Sequence, residues 1–234
     1  KFRGLVSRDA LIDQPDEDQL ALLVEEVPTI TGDATIEAAA ELMLTEGERR
    51  VPVVGEQLDG IITLTDIVHA IANGDTKGDS DVGGLARRDI NCLYVGTPLT
   101  VAERELSHAE VPYGVVLDDE GDMTGMLTVV DIIEVARVVE GEDDTGESIA
   151  NQDDDWAWEG IKAVGGRYMP TRNVEITAEP VSDFMTDDVV TVSKRRTAKE
   201  AAQLMIENEI EQIPLVSGDE LAGIVRDVDL LEGL

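Results

Sequence analysis

One seven-residue stretch recurs along this chain and constrains its fold more than any other feature. Gly60-Ile61-Ile62-Thr63-Leu64-Thr65-Asp66 has near-copies that begin at Gly4, Gly125 and Gly223. The pattern predicts an apolar strand that ends at a hydroxyl, followed three residues later by a carboxylate in the first turn of a helix. Self-similarity of this kind indicates a chain built from repeated modules.

The predicted strand-to-helix junction has the chemistry of a ligand site. Free backbone N–H groups, the positive end of a helix dipole, a hydroxyl and an acid together suit a sugar phosphate. A hydroxyl with an acid three residues later is also a common helix cap with a purely structural role. Recurrence after the same preceding strand favours the binding interpretation, because capping alone does not require that strand.

The acidic composition indicates a surface adapted to high salt. The chain carries 51 acidic against 18 basic residues, a formal charge of -33. Acids spread along the whole sequence are typical of a halophilic protein, and a surface of this charge disfavours DNA binding.

High salt is therefore predicted to be needed for folding. Repulsion among the acids is strong when unscreened, whereas about 1 M salt shortens the Debye length to about 3 Å. We expect the thermal midpoint followed by circular dichroism to rise markedly between about 0.1 M and about 2 M KCl. A melt that is the same at both concentrations would contradict this prediction.

Several function classes are disfavoured by what the sequence lacks. A single cysteine, Cys92, excludes an intrachain disulfide, fits a reducing cytoplasm and is interpreted as a small core residue. No apolar run approaches the roughly 20 residues of a membrane span, and no signal peptide is visible. His69 and His108 have no partner at ligand spacing, so no metal is expected. No nucleophile–base pattern is present, which predicts a protein that is not an enzyme.

The repeats divide the chain into five predicted regions. Each complete repeat has the predicted order strand, helix, strand, strand, helix. The regions are the C-terminal remnant of a first repeat (1–14), a second repeat (20–75), a degenerate third repeat (82–140), an acidic insert with Trp156 and Trp158 (141–180), and a fourth repeat (181–234).

Local patterns predict the elements within the repeats. In the second repeat, Thr35 is predicted to cap a helix, and Val51–Val54 with Leu58–Ile62 to form a hairpin. In the third, the pattern predicts a shorter helix over Thr100–His108 and a long one over Ile132–Val139.

At this level of detail the chain resembles the CBS domains, small regulatory modules named after cystathionine β-synthase. The resemblance rests on Phe184–Ser193, Ile213–Val216 and Gly223–Val225, and extends over most of the chain. It implies an α/β (α+β) fold of tandem repeats paired into Bateman modules. The arrangement resembles that of an archaeal, in particular haloarchaeal, protein with four repeats, of which the first lacks its N-terminal half here.

The resemblance also implies ligands and the residues that bind them. Members of this family bind adenosine compounds such as AMP, ADP, ATP, S-adenosylmethionine or methylthioadenosine between paired repeats. By position, the second repeat would place Thr29 and Ile30 near the base, Arg50 at the hairpin entry, Thr63 near phosphate and Asp66 on the ribose.

The other repeats match the family pattern unevenly. The third keeps both junction residues, the fourth has an arginine in place of the hydroxyl, and the first has alanine in place of the acid. The third repeat has Thr128 and Asp131. The fourth keeps Thr191 and Asp229 but has Arg226 in place of the hydroxyl, and the first has Ser7 and, in place of the acid, Ala10.

Three function classes remain open at this stage. The leading one is a non-catalytic sensor of adenosine ligands that modulates a partner, with the tryptophan-containing insert as the segment that reports the change. The second is a docking protein for a transporter, an enzyme or the ribosome, with nucleotide optional, and the third is an enzyme. The predicted partners are an adenosine-type small molecule, an unidentified protein or ribonucleoprotein, and a second copy in a homodimer. The pairs Arg49-Arg50, Arg87-Arg88 and Arg195-Arg196 either balance local charge or attract an anion.

Overall fold

A computed structural model describes most of the chain as two compact units. It covers residues 2–6, 19–140, 161–164, 167–170, 172–218 and 220–234, with only the backbone described for 138–140 and for the strands between 161 and 174. Unit 1 comprises Lys1–Ile90 with Val190–Leu234, and unit 2 comprises Asn91–Val189. The predicted insert residues Trp156 and Trp158, and Ser7 and Ala10 of the first repeat, lie outside the described residues.

The described residues form seven α-helices and twelve strands, with three short 3-10 helices at Leu20–Leu22, Val181–Asp183 and Leu231–Gly233. The helices are α1 Ile36–Glu46, α2 Leu64–Asn73, α3 Val82–Leu85, α4 Leu99–Ala109, α5 Val129–Val135, α6 Ala198–Glu207 and α7 Asp227–Leu230. The strands are β1 Arg50–Val54, β2 Leu58–Thr63, β3 Cys92–Tyr94, β4 Tyr113–Leu117, β5 Met123–Thr128, β6 Arg137–Glu140, β7 Ile161–Val164, β8 Arg167–Pro170, β9 Arg172–Glu175, β10 Val192–Ser193, β11 Gln212–Ser217 and β12 Glu220–Arg226. No helix formed by these residues is long and apolar enough to cross a membrane.

The second repeat folds as its local sequence predicts. Thr35 accepts a hydrogen bond from the N–H of Ala38 and begins α1, and Gly47 ends it with a positive φ of 72°. Strands β1 and β2 form the predicted antiparallel hairpin. The predicted first strand is reduced to Ile30, which bridges Val53 in parallel orientation.

The second and fourth repeats share one hydrophobic core in unit 1. Helix α2 packs against α6, where Ala201 and Ala202 are small enough for the two helices to approach closely. Ile67 and Ile71 of α2 are fully buried in this core. Gln203 of α6 also donates a hydrogen bond to the carbonyl of Ala72 at 3.0 Å. The two repeats are therefore expected to unfold as one cooperative body.

Unit 2 contains the sheet of the third repeat. Strand β3 runs parallel to β4, and β4 pairs antiparallel with β5. Leu99 and Leu106 of α4 pack with Leu127 of β5 in a separate core. Helix α4 has 11 residues, as many as α1, so the prediction of a shorter helix here is wrong. The helix begins at Leu99, directly after Pro98 at the N-cap, one residue before the predicted start.

The long helix predicted over Ile132–Val139 is also wrong. Helix α5 ends at Val135, and β6 begins at Arg137 and pairs antiparallel with β9 of the insert. The β-branched pair Val138-Val139 favours an extended conformation, since such side chains lose rotamer freedom in a helix. Strands β7 and β8 form a further antiparallel pair within the insert.

Candidate ligand sites at the strand-to-helix junctions

The sheet registers place the junction residues of the three complete repeats at equivalent positions. Thr63 lies opposite Arg50, Thr128 opposite Tyr113, and Arg226 opposite Gln212. Each of these junction residues ends the last strand of its hairpin and acts as the N-cap of the following helix. The recurrent sequence pattern therefore corresponds to a recurrent local structure.

In the second repeat, Asp66 and Thr63 form a reciprocal cap. The N–H of Thr63 donates to Asp66 Oδ2 at 2.8 Å, and its hydroxyl donates to the same oxygen at 2.7 Å. The N–H of Asp66 donates back to Thr63 Oγ1 at 3.3 Å. The cap thus uses one oxygen of the carboxylate, and Oδ1 is outside it. Asp66 is exposed, so its side chain can be reached from solvent.

The third repeat reproduces the same geometry. Both the N–H and the hydroxyl of Thr128 donate to Asp131 Oδ2 at 2.7 Å, and the N–H of Asp131 donates to Thr128 Oγ1 at 3.3 Å. Again the cap engages Oδ2. Two junctions therefore present an acid in the same fixed orientation.

A cap of this kind does not by itself define a ligand site. Thr197 and Glu200 form the same reciprocal arrangement at the start of α6, where no hairpin strand ends. The hydrogen bond from the backbone of Thr197, together with one from the Arg196 side chain, holds the pKa of the Glu200 carboxyl below its usual value. What distinguishes the junctions of the second and third repeats is the combination of the cap with the hairpin end.

The acid of the fourth repeat differs from the other two in its burial and its hydrogen-bond partners. Asp229 is 0% exposed, and its Oδ2 accepts from the backbone N–H and Nε of Arg226 at 2.9 and 3.0 Å. Its Oδ1 accepts from Arg226 Nη2 at 2.7 Å and from Arg87 Nε at 3.1 Å. Both carboxylate oxygens are engaged by arginines of the chain. This geometry favours a structural role over the ribose contact that the family resemblance implies.

The contact between Arg87 and Asp229 is not indicated by the sequence. There the pair Arg87-Arg88 is only a basic doublet in an acidic chain. Arg87 lies 142 residues from Asp229. Only the fold brings the two together, so no local pattern could have indicated the ion pair.

Arg49, Arg87 and Arg196 of the basic doublets form ion pairs with acidic residues. Arg49 contacts Asp227 at 2.5 Å and Glu211 at 3.4 Å, and Arg196 contacts Glu200 at 2.5 Å. Partial burial lowers the pKa of Arg49, but the hydrogen bond and charge of Asp227 outweigh it, so the pKa is raised overall. Arg50, by contrast, is exposed at the mouth of the hairpin, opposite Thr63.

The residues predicted to lie near the base occupy equivalent positions in the first strands of the second and fourth repeats. Ile30 pairs with Val53, and Val192 pairs with Leu215. The residues just before them, Thr29 and Thr191, are exposed. Half-buried Ile30 lies beside the hairpin of its own repeat. The first-strand residues and the junctions therefore belong to the same small sheets.

Cys92 of the third repeat occupies the position of Thr29 and Thr191. Leu93 pairs with Val116 and is buried, which turns the preceding side chain away from the core. Cys92 is exposed, so its interpretation as a core residue is wrong. Desolvation of the thiol nevertheless raises the pKa of Cys92 above its ordinary value. The alternation of a strand explains the error, since burial of Leu93 fixes the opposite face for its neighbour.

The part of the chain that the structure describes contains no group of three or more His, Cys, Asp or Glu side chains arranged to hold a metal ion. The acidic runs between residues 141 and 160 lie outside that part.

Comparison with known proteins identifies the repeats. The CBS domain family matches residues 21–73, 81–137 and 181–234. Protein MJ1404 of Methanocaldococcus jannaschii is 26% identical over 227 residues, which are 96% of this chain but 49% of that protein. The chain thus spans about half the length of this relative.

Two solved structures have the same fold. A conserved protein from Pyrococcus horikoshii superposes with a TM-score of 0.68 at 26% identity, covering 91% of this chain and 81% of that one. Protein MJ1225 from Methanocaldococcus jannaschii, described as a putative archaeal homolog of g-AMPK, superposes with a TM-score of 0.62 at 22% identity. That match covers 96% of this chain and 76% of MJ1225.

Proposed function

Because the chain belongs to the CBS domain family, we propose that it is a non-catalytic regulatory protein that binds adenosine-containing ligands and modulates a partner. The ligand class is an adenine nucleotide or an S-adenosylmethionine-type nucleoside. The observation that carries the proposal is the shared junction geometry of the second and third repeats.

The junction acids are suited to the ribose of such a ligand. Asp66 and Asp131 are each held by two hydrogen bonds to Oδ2, which fixes the orientation of the carboxylate. The other oxygen, Oδ1, can accept from the hydroxyl groups of a cis-diol. A carboxylate fixed in advance loses little conformational freedom on binding.

The junction threonines are better suited to orienting the acid than to binding phosphate. The hydroxyl hydrogen of Thr63 is donated to Asp66, and that of Thr128 to Asp131. A hydroxyl committed in this way has no hydrogen left for a phosphate oxygen. This differs from the role that the family resemblance implies for Thr63.

A cation distinguishes the two sites. Exposed Arg50 lies opposite Thr63 in the second repeat, whereas buried Tyr113 lies opposite Thr128 in the third. A guanidinium can bind a phosphate through two parallel hydrogen bonds. We therefore propose that the second repeat prefers phosphorylated ligands and the third prefers nucleosides without phosphate.

The fourth repeat is proposed to be closed to ligands. Its acid already accepts hydrogen bonds on both oxygens, and the Arg226 side chain stands where the second and third repeats carry a threonine. In this view Arg226 and Arg87 replace the ligand as partners of the buried acid.

Regulation would follow from differential binding. A ligand can shift an equilibrium between two arrangements of a protein only by its difference in affinity for them. The acid and hydroxyl at the junctions of the second and third repeats are locked in a helix cap, which suits binding rather than proton transfer.

Mass spectrometry tests the ligand class directly. Protein purified in high salt is denatured by heat, and the compounds released into the supernatant are identified and quantified. We expect an adenosine compound in an amount comparable to the protein. A released compound without an adenosine moiety would overturn the proposal.

Substitution of the junction acids by asparagine is expected to weaken binding without unfolding the protein. Asp66→Asn and Asp131→Asn keep one oxygen for the cap but replace the outward acceptor with an amide donor. The loss of ribose hydrogen bonds should lower affinity by about 1–3 kcal/mol per site. Titration calorimetry with AMP, ATP and S-adenosylmethionine measures the change.

Glu200→Gln provides the matched control for these variants. It alters the same kind of cap at the start of α6, away from any hairpin end. It should leave every affinity at the wild-type value. Wild-type affinities in both asparagine variants would refute the assignment of Asp66 and Asp131.

A further inference from the structure

The last strand of each repeat carries a glycine followed by an apolar residue at the same place. In three of the four repeats the backbone of this apolar residue pairs with an extended segment from another repeat. These lead segments, residues 24–26, 86–88 and 185–187, precede the first strands of the second, third and fourth repeats. The four glycine-containing pairs are Gly4-Leu5, Gly60-Ile61, Gly125-Met126 and Gly223-Ile224.

Each of the three pairings is reciprocal and antiparallel. The central residue of the lead segment and the apolar residue each donate their N–H to the carbonyl of the other. The two N–O distances are 3.1 and 2.8 Å for Leu5 with Glu25, 2.9 and 2.8 Å for Met126 with Thr186, and 3.0 and 2.8 Å for Ile224 with Arg87.

The glycines make room for these segments. A Cβ added at Gly125 would lie 2.9 Å from the carbonyl oxygen of Thr186, and one at Gly223 would lie 2.7 Å from that of Arg87. A Cβ at Gly4 would collide with the carbonyl oxygen of Glu25. A side chain at any of these three positions would therefore exclude the lead segment.

Gly60 and Ile61 are the exception, and we call them the open edge. A Cβ at Gly60 would meet no described atom within 4 Å. Ile61 is 47% exposed, whereas Met126 is 7% and Ile224 is 0% exposed. The same glycine is present, but no segment among the described residues lies against it.

The backbone groups of Ile61 point outward from the hairpin. Ile61 lies opposite Pro52, which has no N–H, and the Pro52 carbonyl accepts from Ile30 on the far side of β1 at 3.0 Å. This is therefore a non-hydrogen-bonded pair of the ladder, in which N–H and C=O face away from the partner strand. An outward N–H and C=O beside an exposed apolar side chain form an edge suited to an added strand.

We infer that the open edge binds a fourth lead segment, the one that belongs to the first repeat and precedes Lys1 in the polypeptide. The third repeat supplies the segment at Ile224, and the fourth supplies the segment at Met126. The second repeat supplies the segment at Leu5 of the first. The third and fourth repeats thus supply lead segments to each other. If the first and second repeats do the same, the lead segment of the first repeat pairs with Ile61.

The lead segment of the first repeat is inferred as the occupant of the open edge because paired repeats supply lead segments to each other, and not only because Ile61 is exposed. Three lead segments already bind glycine-containing edges in the same orientation, and each comes from a different repeat. At Gly4, Gly125 and Gly223, the close approach of a lead segment leaves no room for a Cβ. An edge-to-edge contact between the open edges of two copies would not require a glycine at position 60.

Amide hydrogen exchange tests the inference. In this chain the Ile61 amide should exchange rapidly and that of Ile224 slowly. In a polypeptide extended upstream through the first repeat, exchange at Ile61 should slow by at least roughly tenfold, as two added backbone hydrogen bonds require. Equal Ile61 rates in the two polypeptides would overturn the inference. Protection of Ile61 in this chain that rises with protein concentration would assign the edge to a second copy instead.

Valine substitutions at two glycines provide the matched controls. Gly60→Val should leave the stability of this chain unchanged, yet abolish the added protection of Ile61 in the extended polypeptide. Gly223→Val should destabilise both this chain and the extended polypeptide, because the Arg87 carbonyl occupies the space that the valine side chain would need. Full protection of Ile61 in the extended Gly60→Val variant would contradict the proposed close approach.

Discussion

Removal of both arginines around Asp229 is expected to destabilise unit 1 by about 3–5 kcal/mol, because it leaves a buried carboxylate without a compensating charge. Asp229 is fully buried, whereas the guanidinium groups of Arg87 and Arg226 are partly exposed. The cost therefore falls on the carboxylate, since the arginines reach water in any case. Urea unfolding of the Arg87→Ala/Arg226→Ala variant in high salt measures the effect.

A third substitution separates charge burial from lost packing. Adding Asp229→Asn to the double variant removes the buried charge and should recover much of the lost stability. A triple variant as unstable as the double variant would show that the arginines act through packing. Arg50→Ala, an exposed arginine in the equivalent hairpin, should change stability by less than about 0.5 kcal/mol.

Truncation of Ile71 is expected to destabilise unit 1 by about 2–5 kcal/mol, the usual cost of a large-to-small change in a core. Ile71 is fully buried in the core that the second and fourth repeats share. The Ile71→Ala cavity should therefore weaken both repeats together. Exchange rates of slowly exchanging amides in α2 and α6 should rise by the same factor.

Leu106→Ala is the matched control, since Leu106 is buried in the core of unit 2. It should raise the exchange rates of β4 and α4 amides. If Ile71→Ala accelerated exchange in α2 while α6 kept its wild-type rates, the second and fourth repeats would not form one cooperative body.

The hairpins and junction caps could be predicted from the sequence because they are local. A threonine at an N-cap and an acid three residues later interact within one helical turn, so their contacts follow from spacing alone. The structure confirms the tandem α+β repeats. The caps at Thr63 and Thr128 also form as the pattern predicts.

Contacts between distant parts of the chain could not be predicted in this way. The ion pair of Arg87 with Asp229 and the packing of α2 on α6 join residues separated by more than a hundred positions. The pairing of β6 with β9 is likewise non-local. Local spacing therefore predicts the junction caps but not the arginine that contacts Asp229 from a distant part of the chain.

Equilibrium dialysis of the wild-type chain against labelled AMP, ATP and S-adenosylmethionine in about 2 M KCl tests the central claim most directly. The proposed function predicts saturable binding of adenosine ligands. The affinity for phosphorylated compounds should fall in Arg50→Ala, and the affinity for all three ligands should fall by about 1–3 kcal/mol per site when Asp66→Asn and Asp131→Asn are combined. An absence of saturable binding of all three ligands up to about 1 mM, in protein shown to be folded, would contradict it.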